Sequence, residues 1–275
     1  MSHSRSVLVA LVLALLLGGC VDPNRHADEM AQSAHLQREL IHTDGFVLTG
    51  FYRLTRPDLP LTLYIEGDGA AWRSRHQPST DPTPRKALGL ALAASDPAAN
   101  VAYLARPCQF IPSLESPYCD VSYWTDKRYA EEVVAAMNQA VTHYVAADQK
   151  INLVGYSGGG ALAVLIAARR HDVASIRTVA GNLDHDEVNR LHGVSAMPGS
   201  LNAIHVAPQV ANIPQIHISG ADDRVVPPSI AQRFAATTGT RCAQTYLIPS
   251  MGHGSDWDQR WPELLSRIPV CSQRN

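Results

Sequence analysis

Short, continuously apolar runs alternate with longer segments of helical periodicity along most of the chain. The strand-like runs are 46–54, 61–67, 100–107, 150–157, 175–182, 213–220 and 244–250. The helical segments are 84–95, 126–146, 159–171, 228–238 and 256–268. Because buried parallel strands are apolar throughout and are joined by helical crossovers, this alternation predicts an α/β domain with a doubly wound, mostly parallel sheet. A proline-bounded turn between the first two runs predicts an antiparallel start.

Three stretches interrupt the alternation and suggest how the chain is divided. Residues 20–38 are polar, and we expect a tether or a surface helix there, before a domain that spans 39–275. The stretch 108–125 contains two prolines and two cysteines and predicts a loop. A long polar insert occupies 183–212. It is either a lid or binding loop at the sheet edge or a surface excursion without a ligand.

The first residues have the pattern of an export signal. Arg5 precedes an unbroken apolar run, 7–17, which is followed by two glycines and Cys20. The run is shorter than the roughly 20 apolar residues of a spanning helix, and it lacks the amphipathic period of a core helix. Leu17-Gly18-Gly19-Cys20 resembles the lipobox of bacterial lipoproteins. That resemblance implies a signal peptide of residues 1–19 and a lipid anchor on Cys20.

The residue after the lipobox-like motif bears on localisation. Val21 stands where an aspartate would usually retain a lipoprotein in the inner membrane, so the resemblance implies an outer-membrane anchor that faces the periplasm. Of the five cysteines, the four besides Cys20 would then lie in an oxidising compartment. We predict two local disulfides, Cys108 with Cys119 and Cys242 with Cys271. Four cysteines allow three pairings, and free buried thiols are the alternative.

Charge and motif content narrow the classes of partner. The chain has 23 Lys and Arg residues against 25 Asp and Glu residues, for a formal net charge of −2. This balance argues against a nucleic-acid partner. The cysteines lack C-x-x-C spacing, and the sequence has neither an H-E-x-x-H motif nor a dinucleotide-binding glycine fingerprint. No metal and no other cofactor is therefore predicted.

A glycine-rich turn provides the candidate nucleophile. Gly155-Tyr156-Ser157-Gly158-Gly159 follows the strand-like residues 151–154 and opens the next helical segment, which is the context of a nucleophile elbow. The turn holds the serine in a strained conformation, and side chains at the flanking glycines would collide with the adjacent strand and helix. The alternative is a phosphate-binding loop at a helix start. The absence of a lysine after the glycines argues against a nucleoside triphosphate there.

Candidates for the acid and the base follow later strands. Asp222 and Asp223 come after the run 213–220, and His253 comes after the run 244–250. Because active sites of α/β domains form at the carboxyl ends of the strands, we expect these residues to meet Ser157. Other histidines, such as His217 within a strand, are better explained as packed or surface residues.

The order serine, acid, histidine resembles that of α/β-hydrolase-fold serine hydrolases over roughly residues 40–270. The resemblance implies an α/β-hydrolase sheet topology. In that family the stretch G-x-x-D-x-x-V-P carries the acid at its fourth position, which is Asp223 within residues 220–227. Asp222 is the alternative acid. The implied catalytic residues are Ser157, Asp223 and His253.

The same resemblance predicts an oxyanion hole. Its two donors would be the backbone N–H groups of Gly158 and Asp68. Asp68 belongs to Glu66-Gly67-Asp68-Gly69, which resembles the H-G-x-G loop of the family but has Glu66 in place of the histidine. Glu66 either holds the loop or alters the pKa of His253. Trp72 and Tyr156 are candidate walls of the substrate pocket.

Together these features predict a cell-envelope serine hydrolase that cleaves carboxylic esters through an acyl-enzyme intermediate. Its substrate would be a small-molecule or lipid ester, and it would contact the membrane through its lipid anchor. The same residues could cleave an amide, peptide or thioester or catalyse perhydrolysis. A non-catalytic envelope protein that keeps the fold is the alternative from another class.

Overall fold

The computed structural model describes residues 22–111, 117–239 and 241–272. The strands are β1 Gln37–His42, β2 Val47–Leu54, β3 Leu61–Ile65, β4 Trp72–Ser74, β5 Gln77–Pro78, β6 Asn100–Leu104, β7 Ile151–Tyr156, β8 Val173–Val179, β9 Gln215–Gly220 and β10 Ala243–Ile248. Eight of them form one sheet in the order β1-β2-β6-β3-β7-β8-β9-β10, and β4 pairs with β5 in a separate hairpin. The apolar run 7–17 and Cys20 lie outside the described residues.

The helices are α1 Pro23–Ser33, α2 Leu88–Ala94, α3 Glu131–Tyr144, α4 Gly158–Ala167, α5 His185–His192, α6 Pro228–Thr238 and α7 Trp257–Leu265. Short 3₁₀ helices span Val121–Trp124 and Ala203–Val210. Helices α3, α4 and α6 share one apolar cluster with the sheet, and α1, α2 and α7 share another. Within β3, Leu63 belongs to the first cluster and Tyr64 to the second. The sheet is therefore buried on both faces, which confirms the doubly wound α/β prediction.

The antiparallel start is present, but with different partners than the turn between the first two runs suggested. β2 pairs antiparallel with both β1 and β6, and β3 lies between β6 and β7 in parallel pairing. The edge strand β1 has no counterpart among the predicted elements. Of its residues only Ile41 is buried, so it lacks the apolar run by which the other strands were predicted.

Residues 23–33 differ from the tether interpretation, because they form helix α1 and pack against the domain. Asp22 caps the helix by accepting a hydrogen bond from the Asn24 N–H at 3.0 Å. The buried face of helix α1 consists of Ala27 and Ala31, each 1% exposed. Two alanines four residues apart fit closely against the core but give almost no apolar signal in an otherwise polar sequence.

The insert 183–212 is divided into two parts. Helix α5 begins after the capping residue Asp184 and ends at Gly193, whose positive φ of 60° suits a helix C-terminus. The 3₁₀ helix Ala203–Val210 buries Ala203, Ala207 and Val210 in the core. This 3₁₀ helix in the second half of the insert is therefore part of the packed domain.

Both predicted disulfides are confirmed, Cys108–Cys119 and Cys242–Cys271. The first connects Cys108, four residues after the end of β6, to Cys119, two residues before the 3₁₀ helix Val121–Trp124. The second ties the segment before β10 to the chain after α7. Within the described ranges, every helix is too short or too polar to cross a membrane.

Candidate active site

Ser157 lies on the sharp turn between β7 and α4. Its backbone has φ 52° and ψ −120°, a conformation that is rare for a residue with a side chain. A Cβ atom at Gly155 would lie 2.2 Å from the Gly159 oxygen, and one at Gly159 would lie 2.2 Å from the Ile65 oxygen. The turn therefore requires both glycines, as the motif predicts, and it raises the serine side chain at the carboxyl edge of the sheet.

The structure brings Ser157, His253 and Asp223 into one hydrogen-bonded row. His253 Nε2 lies 2.9 Å from Ser157 Oγ, and His253 Nδ1 lies 2.9 Å from Asp223 Oδ2. With its proton on Nδ1, the imidazole donates to the carboxylate and accepts the serine hydroxyl proton. Asp222 is exposed, whereas Asp223 is 3% exposed. Asp223, and not Asp222, is the acid that contacts the imidazole.

The Asp223 carboxylate is itself held in place. Its Oδ1 atom accepts hydrogen bonds from the backbone N–H groups of Val225 and Val226, both at 2.9 Å. This leaves Oδ2 for His253. Because one oxygen is held by backbone donors and the other by the ring, the carboxylate fixes the orientation of the imidazole.

Tyr156, a candidate wall of the substrate pocket, packs against His253. Its ring centroid lies 5.5 Å from that of His253, and its hydroxyl donates to the His253 carbonyl at 3.1 Å. Trp257 Nε1 donates to the same carbonyl at 2.9 Å. The Tyr156 side chain is only 8% exposed. Tyr156 and Trp257 together fix the backbone of the loop that carries the imidazole.

Two other histidines lie in different surroundings. His217 is fully buried within β9, where it contacts Thr178 Oγ1 at 2.9 Å, and burial lowers its pKa to about 3. His185, in α5, stacks on Tyr129 with 5.8 Å between ring centroids. Neither ring contacts Ser157. The structure thus brings His253 to the serine, while His217 is a core residue, as predicted.

The loop Glu66–Gly69 passes beside the serine. A Cβ atom on Gly67 would lie 3.2 Å from Ser157 Cβ, and one on Gly158 would lie 2.0 Å from Asp68 Oδ1. Among the described residues, the N–H groups of Asp68 and Gly158 have no hydrogen-bond acceptor. Two free donors beside a nucleophile are what an oxyanion hole requires.

Glu66 holds this loop against the body of the domain. Its buried carboxylate accepts hydrogen bonds from the N–H groups of Gly67, Gly89 and Leu90 and from the Tyr103 hydroxyl, at 2.9 to 3.3 Å. Burial raises the pKa of Glu66, and these donors partly offset the shift. The contacts support the expected role of holding the loop, because three of the four join it to α2 and β6 and the fourth lies within the loop.

Asp68 is held by charged groups that the sequence patterns did not reveal. Arg106 Nη1 lies 2.8 Å from Asp68 Oδ1, and Arg128 Nη1 lies 2.7 Å from Oδ2. The Tyr129 hydroxyl adds a hydrogen bond at 3.2 Å. Burial alone would raise the pKa of Asp68, but the guanidinium groups of Arg128 and Arg106 lower it to about 2. Asp68 is therefore ionised, and this ion triple anchors the loop.

A cavity of about 610 Å³ lies between the β4–β5 hairpin and the segment that follows α5. Trp72, a candidate wall of the substrate pocket, lines this cavity and is 45% exposed. In the described ranges, no group of three or more His, Cys, Asp and Glu side chains is arranged to hold a metal ion.

The fold resembles that of several hydrolases of known structure. A bacterial membrane phospholipase A is 16% identical, with a TM-score of 0.55 over 96% of this chain and 98% of that one. An esterase of Pyrococcus furiosus is 11% identical, with a TM-score of 0.59 over 87% of this chain and 94% of that one. A puromycin-hydrolysing peptidase of Mycobacterium tuberculosis is 14% identical, with a TM-score of 0.59 over 85% of this chain and 38% of that one.

No protein-family model and no curated protein sequence matches the chain at a significant level. The structural likenesses, all at low sequence identity, show the fold. With its mostly parallel eight-stranded sheet covered by helices on both faces, the chain has the α/β-hydrolase fold.

Proposed function

We propose that the protein is a serine hydrolase that cleaves carboxylic esters through an acyl-enzyme intermediate. The observation that carries the proposal is the hydrogen-bonded row of Ser157, His253 and Asp223, with the serine on a strained turn beside two free backbone donors. A structural role does not explain the strain, because a positive φ at a residue with a side chain is costly unless function requires it.

The geometry supports a two-step reaction. Ser157 Oγ attacks the ester carbonyl carbon while His253 Nε2 takes its proton, and the oxyanion accepts from the N–H groups of Asp68 and Gly158. The intermediate collapses, and His253 returns the proton to the departing alcohol. A water molecule then attacks the acyl-enzyme, again with His253 as base. The acid leaves and Ser157 regains its proton.

Ester cleavage is favoured over peptide cleavage by the extent of the structural matches. The phospholipase and the esterase are covered over 98% and 94% of their lengths, whereas the peptidase is covered over 38%. A chain of this size is thus similar to whole ester hydrolases but to only part of the peptidase. Because the triad chemistry is common to both reactions, the difference lies in the surroundings of the site.

Matched substrates test the proposal. The purified protein should hydrolyse p-nitrophenyl butyrate at least 100-fold faster than the corresponding anilide, and it should also be compared on a butyryl thioester. Ser157→Ala should abolish all these activities while the melting temperature changes by only a few degrees. Faster anilide or thioester hydrolysis would replace the ester assignment, and activity retained by Ser157→Ala would refute the mechanism.

We also propose that the protein acts at the cell envelope, held by a lipid on Cys20. The lipobox-like sequence at residues 17–20 and the two disulfides, which suit an oxidising compartment, support this. The full chain expressed in a Gram-negative host should fractionate with the outer membrane, and Cys20→Ala should release it. An exported Cys20→Ala protein that still fractionates with membranes would refute the anchor.

A further inference from the structure

The cavity behind the β4–β5 hairpin adjoins the candidate active site on two sides. Arg128, which lines the cavity, also donates to Asp68 of the oxyanion loop. His192, on another wall, lies 2.8 Å from the carbonyl oxygen of Val225, whose N–H donates to Asp223. Lining residues of the cavity therefore contact both the oxyanion loop and the segment that holds Asp223.

The cavity combines apolar walls with cationic groups. Trp72 and Val194 are each 45% exposed, and Met197 lies beside them. Arg75 and Arg128 are the guanidinium groups of the lining, and Asp126 is its carboxylate. An exposed tryptophan beside arginines is typical of a surface that binds a ligand with both apolar and charged parts.

Arg75 has no strong partner of its own. Among the described residues it forms no ion pair, and its contacts are to the carbonyl oxygens of His192 and Gly193, at 3.4 and 3.3 Å. Arg128 uses Nη1 for Asp68 and Nε for the Thr125 carbonyl oxygen. Its Nη2 group has no acceptor in the ranges that the structure describes. Both arginines thus retain donors for a ligand.

The charges around the cavity leave a positive surplus. The lining itself has Arg75 and Arg128 against Asp126, and Arg128 shares the Asp68 carboxylate with Arg106 behind the wall. The side chains of Arg106 and Arg128 are only 5% and 17% exposed, so water screens their charge poorly. Two guanidinium groups that share one carboxylate leave an enclosed positive charge unbalanced, which favours the binding of an anion.

We propose that this cavity binds an anionic group, a carboxylate or a phosphate, on the part of the ester that does not react. Arg75 is its principal ligand, Arg128 contributes the free Nη2 donors, and Trp72 packs against the adjoining apolar part. Planar guanidinium groups suit both anions because they bind two oxygens at once. The inference rests on the proposed ester hydrolysis and deepens it by naming the substrate class.

The same hairpin contains a matched control. Arg73 is two residues from Arg75, is also exposed, and donates to Thr80 Oγ1 at 3.1 Å. It does not line the cavity. The variants Arg75→Gln and Arg73→Gln therefore remove the same charge from the same hairpin, inside and outside the cavity. Arg75→Lys keeps the charge but loses the planar donor pair.

The experiment compares kcat/KM for neutral and anionic esters of matched size. Mono-p-nitrophenyl glutarate against p-nitrophenyl valerate places the charge on the acyl side, and 4-carboxyphenyl butyrate against phenyl butyrate places it on the alcohol side. Monoacylglycerol phosphate against monoacylglycerol, both in detergent micelles, tests a lipid phosphate. We expect wild type to prefer the anionic member of at least one pair by about tenfold or more.

Arg75→Gln should reduce that anionic-to-neutral ratio about tenfold, Arg75→Lys should reduce it less, and Arg73→Gln should leave it unchanged. A preference confined to the lipid pair identifies a lipid phosphate as the ligand, and one confined to the soluble pairs identifies a free carboxylate. No preference in any pair, or a ratio unaffected by Arg75→Gln, overturns the inference. Failure to hydrolyse any ester would instead refute the proposed function.

Discussion

The two sides of Ser157 are built in different ways. On the base side, one hydrogen bond joins Ser157 to His253 and one joins His253 to Asp223, so the reacting groups are the side chains themselves. On the oxyanion side, the reacting groups are backbone N–H donors, and buried side chains only position them. Loss of a side chain should therefore be far more damaging on the base side than on the oxyanion side.

The oxyanion side contains a second contrast, between two carboxylates on one loop. Glu66 is held by neutral donors, and burial raises its pKa. Asp68 is held by two guanidinium groups, which lower its pKa to about 2 despite its burial. The same loop is thus fixed at one point by hydrogen bonds to the domain and at the next by a buried ion triple.

The largest effect should come from the base side. Asp223→Asn should lower kcat by about 10⁴, because the amide no longer stabilises the imidazolium and can favour the wrong tautomer. Steady-state kinetics on p-nitrophenyl butyrate measure this loss of kcat. The exposed neighbour Asp222 provides the control, and Asp222→Asn should stay within twofold of wild type. Equal losses in the two variants would contradict the assignment.

On the oxyanion side, Asp68→Asn should lower kcat by about 10² with little change in KM, because the loop donor moves but is not removed. It should also destabilise the fold by about 3 kcal/mol, since two buried guanidinium groups lose their counterion. Kinetics well below the melting temperature, together with urea denaturation, separate the two effects. A loss near 10⁴ would show that Asp68 acts in the chemistry itself.

The two loop carboxylates should affect stability with opposite dependence on pH. The pKa of Asp68 lies below the roughly 4 of an unfolded chain, so its stabilising contribution is complete above that pH and is lost as the pH falls towards 2. The pKa of Glu66 is raised, so its ionisation costs stability as the pH rises above about 4.3.

Melting temperatures between pH 2 and 7 test this contrast. The advantage of wild type over Asp68→Asn should shrink as the pH falls below about 4. Its advantage over Glu66→Gln should shrink as the pH rises above about 4. Two differences that change in the same direction would show that the carboxylates are not held in the contrasting ways described.

The smallest effect on activity should come from removing a disulfide, and the two disulfides should differ in it. Cys108 lies two residues after Arg106, so Cys108→Ala with Cys119→Ala should lower kcat a few-fold by loosening that arginine. Cys242→Ala with Cys271→Ala should leave kcat unchanged, because that bridge lies at the β10 edge of the sheet. Both pairs should lower stability by about 2 to 4 kcal/mol. A larger loss of kcat after removal of Cys242–Cys271 than after removal of Cys108–Cys119 would contradict this expectation.

Much of the base side can be predicted from sequence because its residues end or follow strands. Ser157 follows β7, Asp223 follows β9 and His253 follows β10, and each of these strands is an apolar run. The carboxyl ends of parallel strands meet at one edge, so chain order alone brings these residues together. The glycines on both sides of Ser157 are a further local signal, because they are typical of the sharp turn that carries a nucleophile.

The ion triple could not be predicted in the same way. Arg128 lies in a polar segment before α3 and resembles any surface arginine, because only the packed structure shows that it reaches Asp68. Arg106 gave a weaker signal that could have been used, since it follows the carboxyl end of β6. Helix α1 was predicted only as one alternative to a tether, because its buried contacts are alanines.

The central claim is that Ser157 is a nucleophile activated by His253. Incubation with a fluorophosphonate probe, followed by peptide mass spectrometry, tests it most directly. The account predicts a single covalent adduct on Ser157, with labelling abolished in Ser157→Ala and greatly slowed in His253→Ala. Folded wild-type protein that does not react, or an adduct on another residue that persists in Ser157→Ala, would contradict it.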